Sequence, residues 1–114
     1  YKNFDEIYEL FKKHRIRGIG KLTIYDVALR ASQNYKIYPY KVYLHSGTKV
    51  GALNAGLIKK FSRKETLTIS EITEKLQWLK NIDPYIIEDF LCVCKDDISE
   101  KNLKTYLKNK NPTR

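Results

Sequence analysis

Two pairs of residues in this 114-residue chain carry side chains able to do covalent or metal chemistry: His45 beside Ser46, and Cys92 next but one to Cys94. An imidazole and a hydroxyl can form a base and a nucleophile, but adjacent residues seldom meet in that geometry, and no third orienting group is evident. A structural or phosphate-contacting role for His45 is the expectation. The cysteines fall in a helical pattern, where residues two apart point to different sides, so a disulfide between them is not expected. Metal ligation would call on His14 and His45, both remote in sequence. No HExxH, phosphate-loop, CxxC or GxSxG motif is present. The sequence therefore predicts no catalytic residues, no metal and no cofactor.

Charge is more informative. The net charge is +9, and it is not spread evenly. From Lys12 to Lys64 there are thirteen cations against one acid, Asp26, whereas residues 1–11 sum to −2 and residues 65–114 to −1. A contiguous, nearly acid-free basic segment points to a polyanionic partner, with nucleic acid first. Tyr35, Tyr38, Tyr40 and Tyr43 interleave with Lys36 and Lys41, a mixture that suits either ring packing between helices or stacking on exposed bases.

These residues must be positioned by helices. Asn3 with Glu6 three residues on reads as a capping box before the apolar stripe Phe4, Ile7, Tyr8, Leu10, Phe11. Gly18 and Gly20 end that helix. A second runs from about Leu22 to Ser32 with Ile24, Val27, Ala28 and Ala31 inward, stopping near Asn34. Residues 35–44 read as helix in preference to a short strand, with Pro39 in the first turn, because nothing nearby offers a partner strand. A short helix is expected from about Thr48 to between Gly56 and Phe61. Thr68 or Ser70 caps a helix holding Ile72, Leu76 and Leu79. Asp83-Pro84 starts another with Ile86, Ile87, Phe90, Leu91 and Val93, and Ser99 caps a last one with Leu103, Tyr106 and Leu107. The expected fold is all-α: a basic region 1–64 and a helical region 65–114 packing on it as one compact domain.

Between the first two helices stands Gly18-Ile19-Gly20, flanked by Arg15, Arg17 and Lys21 and followed by Thr23 and Ala28. Glycines let another backbone approach closely, and the N–H groups at the start of the second helix suit a phosphate. Over Phe4 to Ser32 the chain resembles the helix-hairpin-helix DNA-binding motif. The resemblance implies a grip on the sugar–phosphate backbone without base reading, through Arg15, Arg17, Gly18, Gly20, Lys21 and Thr23. The family often pairs two hairpins. Val42 to Ala52 is the candidate second half, with Ser46, Gly47 and Thr48 as its turn and Lys49 as its cation, although it lacks Gly-hydrophobe-Gly. Family members that are DNA glycosylases place a lysine two residues after the second glycine and an aspartate downstream. Here that position is Leu22, and no acid occurs between Asp26 and Glu65.

The expectation is thus a non-catalytic, backbone-contacting DNA-binding protein, an accessory module or a piece of a larger protein. The alternative is an interaction domain that docks an acidic protein through its basic face and whose C-terminal helices mediate assembly with a protein partner. No apolar run approaches the ~20 residues that span a bilayer, the acidic start YKNFDEIYEL is unlike a signal peptide, and an intracellular setting, cytoplasmic or with the nucleoid or nucleus, is expected.

Overall fold

Asn3 caps the first helix as its side chain requires, its Oδ1 accepting the N–H of Glu6 at 3.0 Å. Helix α1, Phe4–Lys13, has Asp5 and Glu6 in its first turn and Lys12 and Lys13 in its last, both complementing the helix dipole. The structure is a computed structural model that describes residues 3–14 and 20–109, without the side chains of residues 21 and 22. Helix α2, Lys21–Gln33, follows, with Asn34 as its C-cap. It packs on α1 along a stripe turned from the expected one: Ile24 and Ala28 are buried as expected, but Val27 is 49% exposed, and Tyr25, Leu29 and Ser32 are buried as well. Tyr25 is the reason. Its ring lies edge-on to Phe4 at 5.3 Å and to Tyr8 at 6.1 Å, and bringing so large a ring inward turns the helix about its axis.

The expected helix over 35–44 is not formed. Lys41–Tyr43 is a strand, β1, paired antiparallel with β2, Thr66–Thr68, in the register Lys41↔Thr68, Val42↔Leu67, Tyr43↔Thr66. The partner strand comes from far along the chain, and its threonines suit a pleated edge. Leu44 extends the pairing by donating its N–H to the carbonyl of Glu65 at 2.8 Å.

Between the strands runs α3, Ser46–Asn54, starting two residues earlier than expected. After β2, Thr68 caps α4, Ile69–Lys75, in a full capping box with Glu71. Leu76 is already the C-cap of α4, and Leu79 reaches the core from the 3-10 turn Gln77–Leu79 instead. Asp83 and Pro84 start α5, Pro84–Val93. Ser99 accepts the N–H of Asn102 at the start of α6, Glu100–Asn109. The fold is all-α apart from this one small sheet among the described residues.

The buried side chains form two clusters. The smaller joins α1 and α2 to Tyr43; the larger joins Val42, Leu44, Ala52, Leu57, Ile58 and Leu67 to Ile72, Leu79, Ile87, Phe90, Leu91 and Leu103. Successive strand residues point to opposite sides, so β1 sends Val42 into one cluster and Tyr43 into the other. Within the larger cluster, α3 presses on α5 through glycines. A Cβ at Gly47 would lie 2.5 Å from Cys92 Sγ, and one at Gly51 only 2.0 Å from the Leu91 carbonyl oxygen.

Candidate nucleic-acid interface

Helix α2 starts at Gly20, whose backbone is extended (φ −76°, ψ 164°) and whose side offers no capping group. Gly20 is exposed, and a Cβ there would meet nothing within 4 Å among the described residues. Thr23, in the first turn, is exposed as well. Arg15, Arg17 and Gly18 lie outside the described residues, as do Ile19 and the side chain of Lys21.

The second candidate half is a strand entering a helix rather than a helical hairpin, because β1 precedes α3. Ser46-Gly47-Thr48 is the first turn of α3 and not a loop before it. Ser46 and Lys49 are exposed. Gly47 faces Cys92, and Thr48 is 1% exposed with its hydroxyl held by Glu88, at 3.1 Å from the carbonyl oxygen and 3.0 Å from Oε1. The Gly47 Cα face and the Thr48 hydroxyl therefore serve the α3–α5 contact, so the Thr48 side chain is turned inward and not offered to a surface phosphate. A polar group buried at a helix contact needs a partner, and Thr48 and Glu88 partner each other.

The helix starts sort by charge. Helices α1, α4 and α6 begin with a side-chain hydrogen bond from Asn3, Thr68 or Ser99 and carry Asp5, Glu6, Glu71 or Glu100 in the first turn. Helix α5 begins at Asp83. Among the described α-helices, only α2 and α3 start with neither a side-chain cap bond from the N-cap residue nor an acid at the cap or in the first turn. Both lie in the basic segment.

Part of that segment's charge is compensated internally. Lys41 pairs with Asp5 at 3.0 Å, Lys12 approaches Glu9 at 4.0 Å, and Lys64 pairs with Glu71. Lys13, Lys36, Lys49, Lys59, Lys60 and Arg63 are exposed, with no described carboxylate in ion-pair reach. The Lys64 ammonium, with the Thr68 N–H, holds the Glu71 carboxyl down at about 2. A cleft of about 270 Å³ between α1 and the sheet mixes Asp5, Glu9 and Glu65 with Lys12, Lys41 and His45, so it is not an anion seat.

His45 is the N-cap residue of α3, and its ring belongs to the aromatic cluster: 5.1 Å from Tyr25, 6.1 Å from Tyr43, with Nε2 3.2 Å from the Tyr8 hydroxyl. Ser46 beside it is exposed. The four tyrosines divide. Tyr43 is buried; Tyr38 stacks on Tyr85 at 5.5 Å; Tyr40 donates to Asp5 at 2.8 Å; Tyr35 is 74% exposed. That hydrogen bond to a carboxylate raises the Tyr40 phenol, and burial raises that of Tyr85. Cys92 and Cys94 are not joined in a disulfide, and burial, with Asp89 and Asp97 nearby, pushes the Cys94 thiol up, away from the reactive thiolate. Among the described residues no group of His, Cys, Asp and Glu could hold a metal ion, and no helix is long and apolar enough to cross a membrane.

One exposed aromatic escaped the sequence reading. Phe61 follows α3 in the run Lys59-Lys60-Phe61-Ser62-Arg63-Lys64 and is 90% exposed. A lone apolar residue among four cations was the signal available. No protein-family model, curated protein or solved structure matches the chain.

Proposed function

We propose that this protein binds DNA by its sugar–phosphate backbone, without reading sequence and without catalysis of its own. The observation that carries the reading is the pairing of uncapped helix starts with basic surroundings. The first N–H groups of a helix have no intrahelical partner and sit at its positive end, and a phosphate satisfies both conditions. At the other described α-helices a cap residue or an acid of the helix itself stands at the start; α2 and α3 carry neither, although at α3 the Glu88 carboxylate reaches the Thr48 hydroxyl from α5. Gly20 keeps the approach to α2 clear, and Ser46 and Lys49 flank that to α3.

The test is the salt dependence of binding. Four to six phosphate contacts release counterions so that log K falls with log salt at a slope of about −3.5 to −5.5 on duplex. Affinity should change little when the probe sequence is randomised, because phosphate contacts position without specifying. A flat salt response, or capture of an acidic protein with no affinity for DNA, overturns the reading.

A further inference from the structure

We propose that the loop Lys59–Lys64 is a seat for an unpaired base, with Phe61 as its stacking platform and Lys59, Lys60 and Arg63 as its phosphate contacts. This rests on the reading that the chain binds nucleic acid and adds a second, structurally separate contact to it.

The argument starts from strain. Phe61 has φ +67°, a left-handed backbone that costs a residue with a Cβ and that glycine or asparagine adopts more readily. Its ring gains no burial in return, being 90% exposed. A large apolar side chain held in an unfavourable conformation and offered to water brings the free fold nothing, and such outliers concentrate at binding sites.

The loop that holds it is built rather than slack. Leu57 and Ile58 anchor its start in the larger core, and Lys75 Nζ holds the Gly56 carbonyl at 2.9 Å. The Ser62 N–H bonds to the Lys59 carbonyl at 3.0 Å, closing a turn around Phe61, and Ser62 Oγ accepts the Lys64 N–H at 3.2 Å. Lys64 is spent on Glu71, which fixes the far end. That leaves Lys59, Lys60 and Arg63 exposed on either side of the ring without a described carboxylate. Lys60 Nζ lies 5.3 Å from the ring centroid.

A flat aromatic face between mobile cations is the chemistry of single-strand recognition, where any base can stack and the backbone is followed by charge. An anionic membrane would also attract the cations, but a single ring with Leu57 and Ile58 turned inward offers little apolar area to insert.

Fluorescence anisotropy with a labelled single-stranded oligothymidylate and a labelled duplex of equal length, at one salt concentration, tests the proposal. Phe61→Ala should weaken single-strand binding by about 5- to 100-fold and leave duplex binding within about twofold. Phe61→Trp should restore it, with indole fluorescence quenched on binding the strand. The ring makes no core contacts, so both variants should melt with the parent. If single-strand affinity is unchanged in Phe61→Ala, or falls equally on both probes, the base seat is wrong while duplex binding with a normal salt slope keeps the backbone reading. If the parent binds neither probe, both fail. Phe61-dependent binding to phosphatidylserine vesicles without a single-strand effect also overturns the proposal.

Discussion

Gly47 and Gly51 stand one turn apart on α3 and let it lie against α5 so closely that a single methyl group at Gly51 would collide with backbone at Leu91. Backbone cannot swing aside as a side-chain tip can, so the helices must separate. Gly51→Ala should therefore cost at least about 1–3 kcal/mol in urea unfolding. Gly20 is the opposite case. Its extended backbone suits a β-branched residue, and a Cβ there would meet none of the described residues. Gly20→Val should leave the circular dichroism melt near that of the parent and weaken DNA binding, by placing bulk where a phosphate approaches. Lys21→Ala should do less, flattening the salt slope by about one unit. Unfolding by Gly20→Val, or unaltered binding, would reduce Gly20 to an ordinary turn residue. Sequence could not separate these glycines: Leu91, whose backbone makes Gly51 obligatory, and Cys92, whose Sγ faces Gly47, lie some forty positions away and meet them only in the folded chain. For the same reason Thr48 read as a surface hydroxyl, although its partner Glu88 holds it in the core.

At the level of elements, the capping box of α4 couples local structure to pH. Thr68 accepts the Glu71 N–H at 3.1 Å, and the Glu71 carboxylate accepts the Thr68 N–H at 2.9 Å while pairing with Lys64. The Glu71 carboxyl is held well below its ordinary 4.5, to about 2. A depressed acid stabilises the fold fully above its unfolded pKa, and that contribution is lost as pH falls from about 4.5 toward 2. Glu71→Gln should be less stable than the parent at neutral pH, with the gap closing on acidification in that window, as read by thermal melts at each pH. Helix starts were legible because their signals are local: the side-chain caps Asn3, Thr68 and Ser99, and the Asp83-Pro84 pair, each mark a start within three residues. The sheet was not. Strands of three residues are too short to display an alternation, and β1 is stabilised by a partner on the far side of α3. The extra neighbour that made Lys41–Tyr43 a strand was therefore absent from any local window, and Pro39, read as a helix start, is instead buried just before β1.

For the whole molecule, the consequence reaches furthest from β1. Its Val42 and Tyr43 side chains enter different clusters, so one short strand is a party wall between two rooms. The room formed by α1 and α2 is the smaller, and it can open while the other stays closed. Native-state hydrogen exchange should show this as two tiers: amides of α1 and α2 exchanging through a sub-global opening, and amides of α5, around the fully buried Phe90 and Leu91, exchanging only with complete unfolding. A single protection free energy throughout would mean that the wall transmits every opening. With two tiers, a nucleic acid held at the start of α2 slows exchange selectively in the smaller room, since binding stabilises whatever it requires to be folded. Occupancy of the protein by its ligand would then be written in the lifetime of one helix pair, with the larger room keeping its own time.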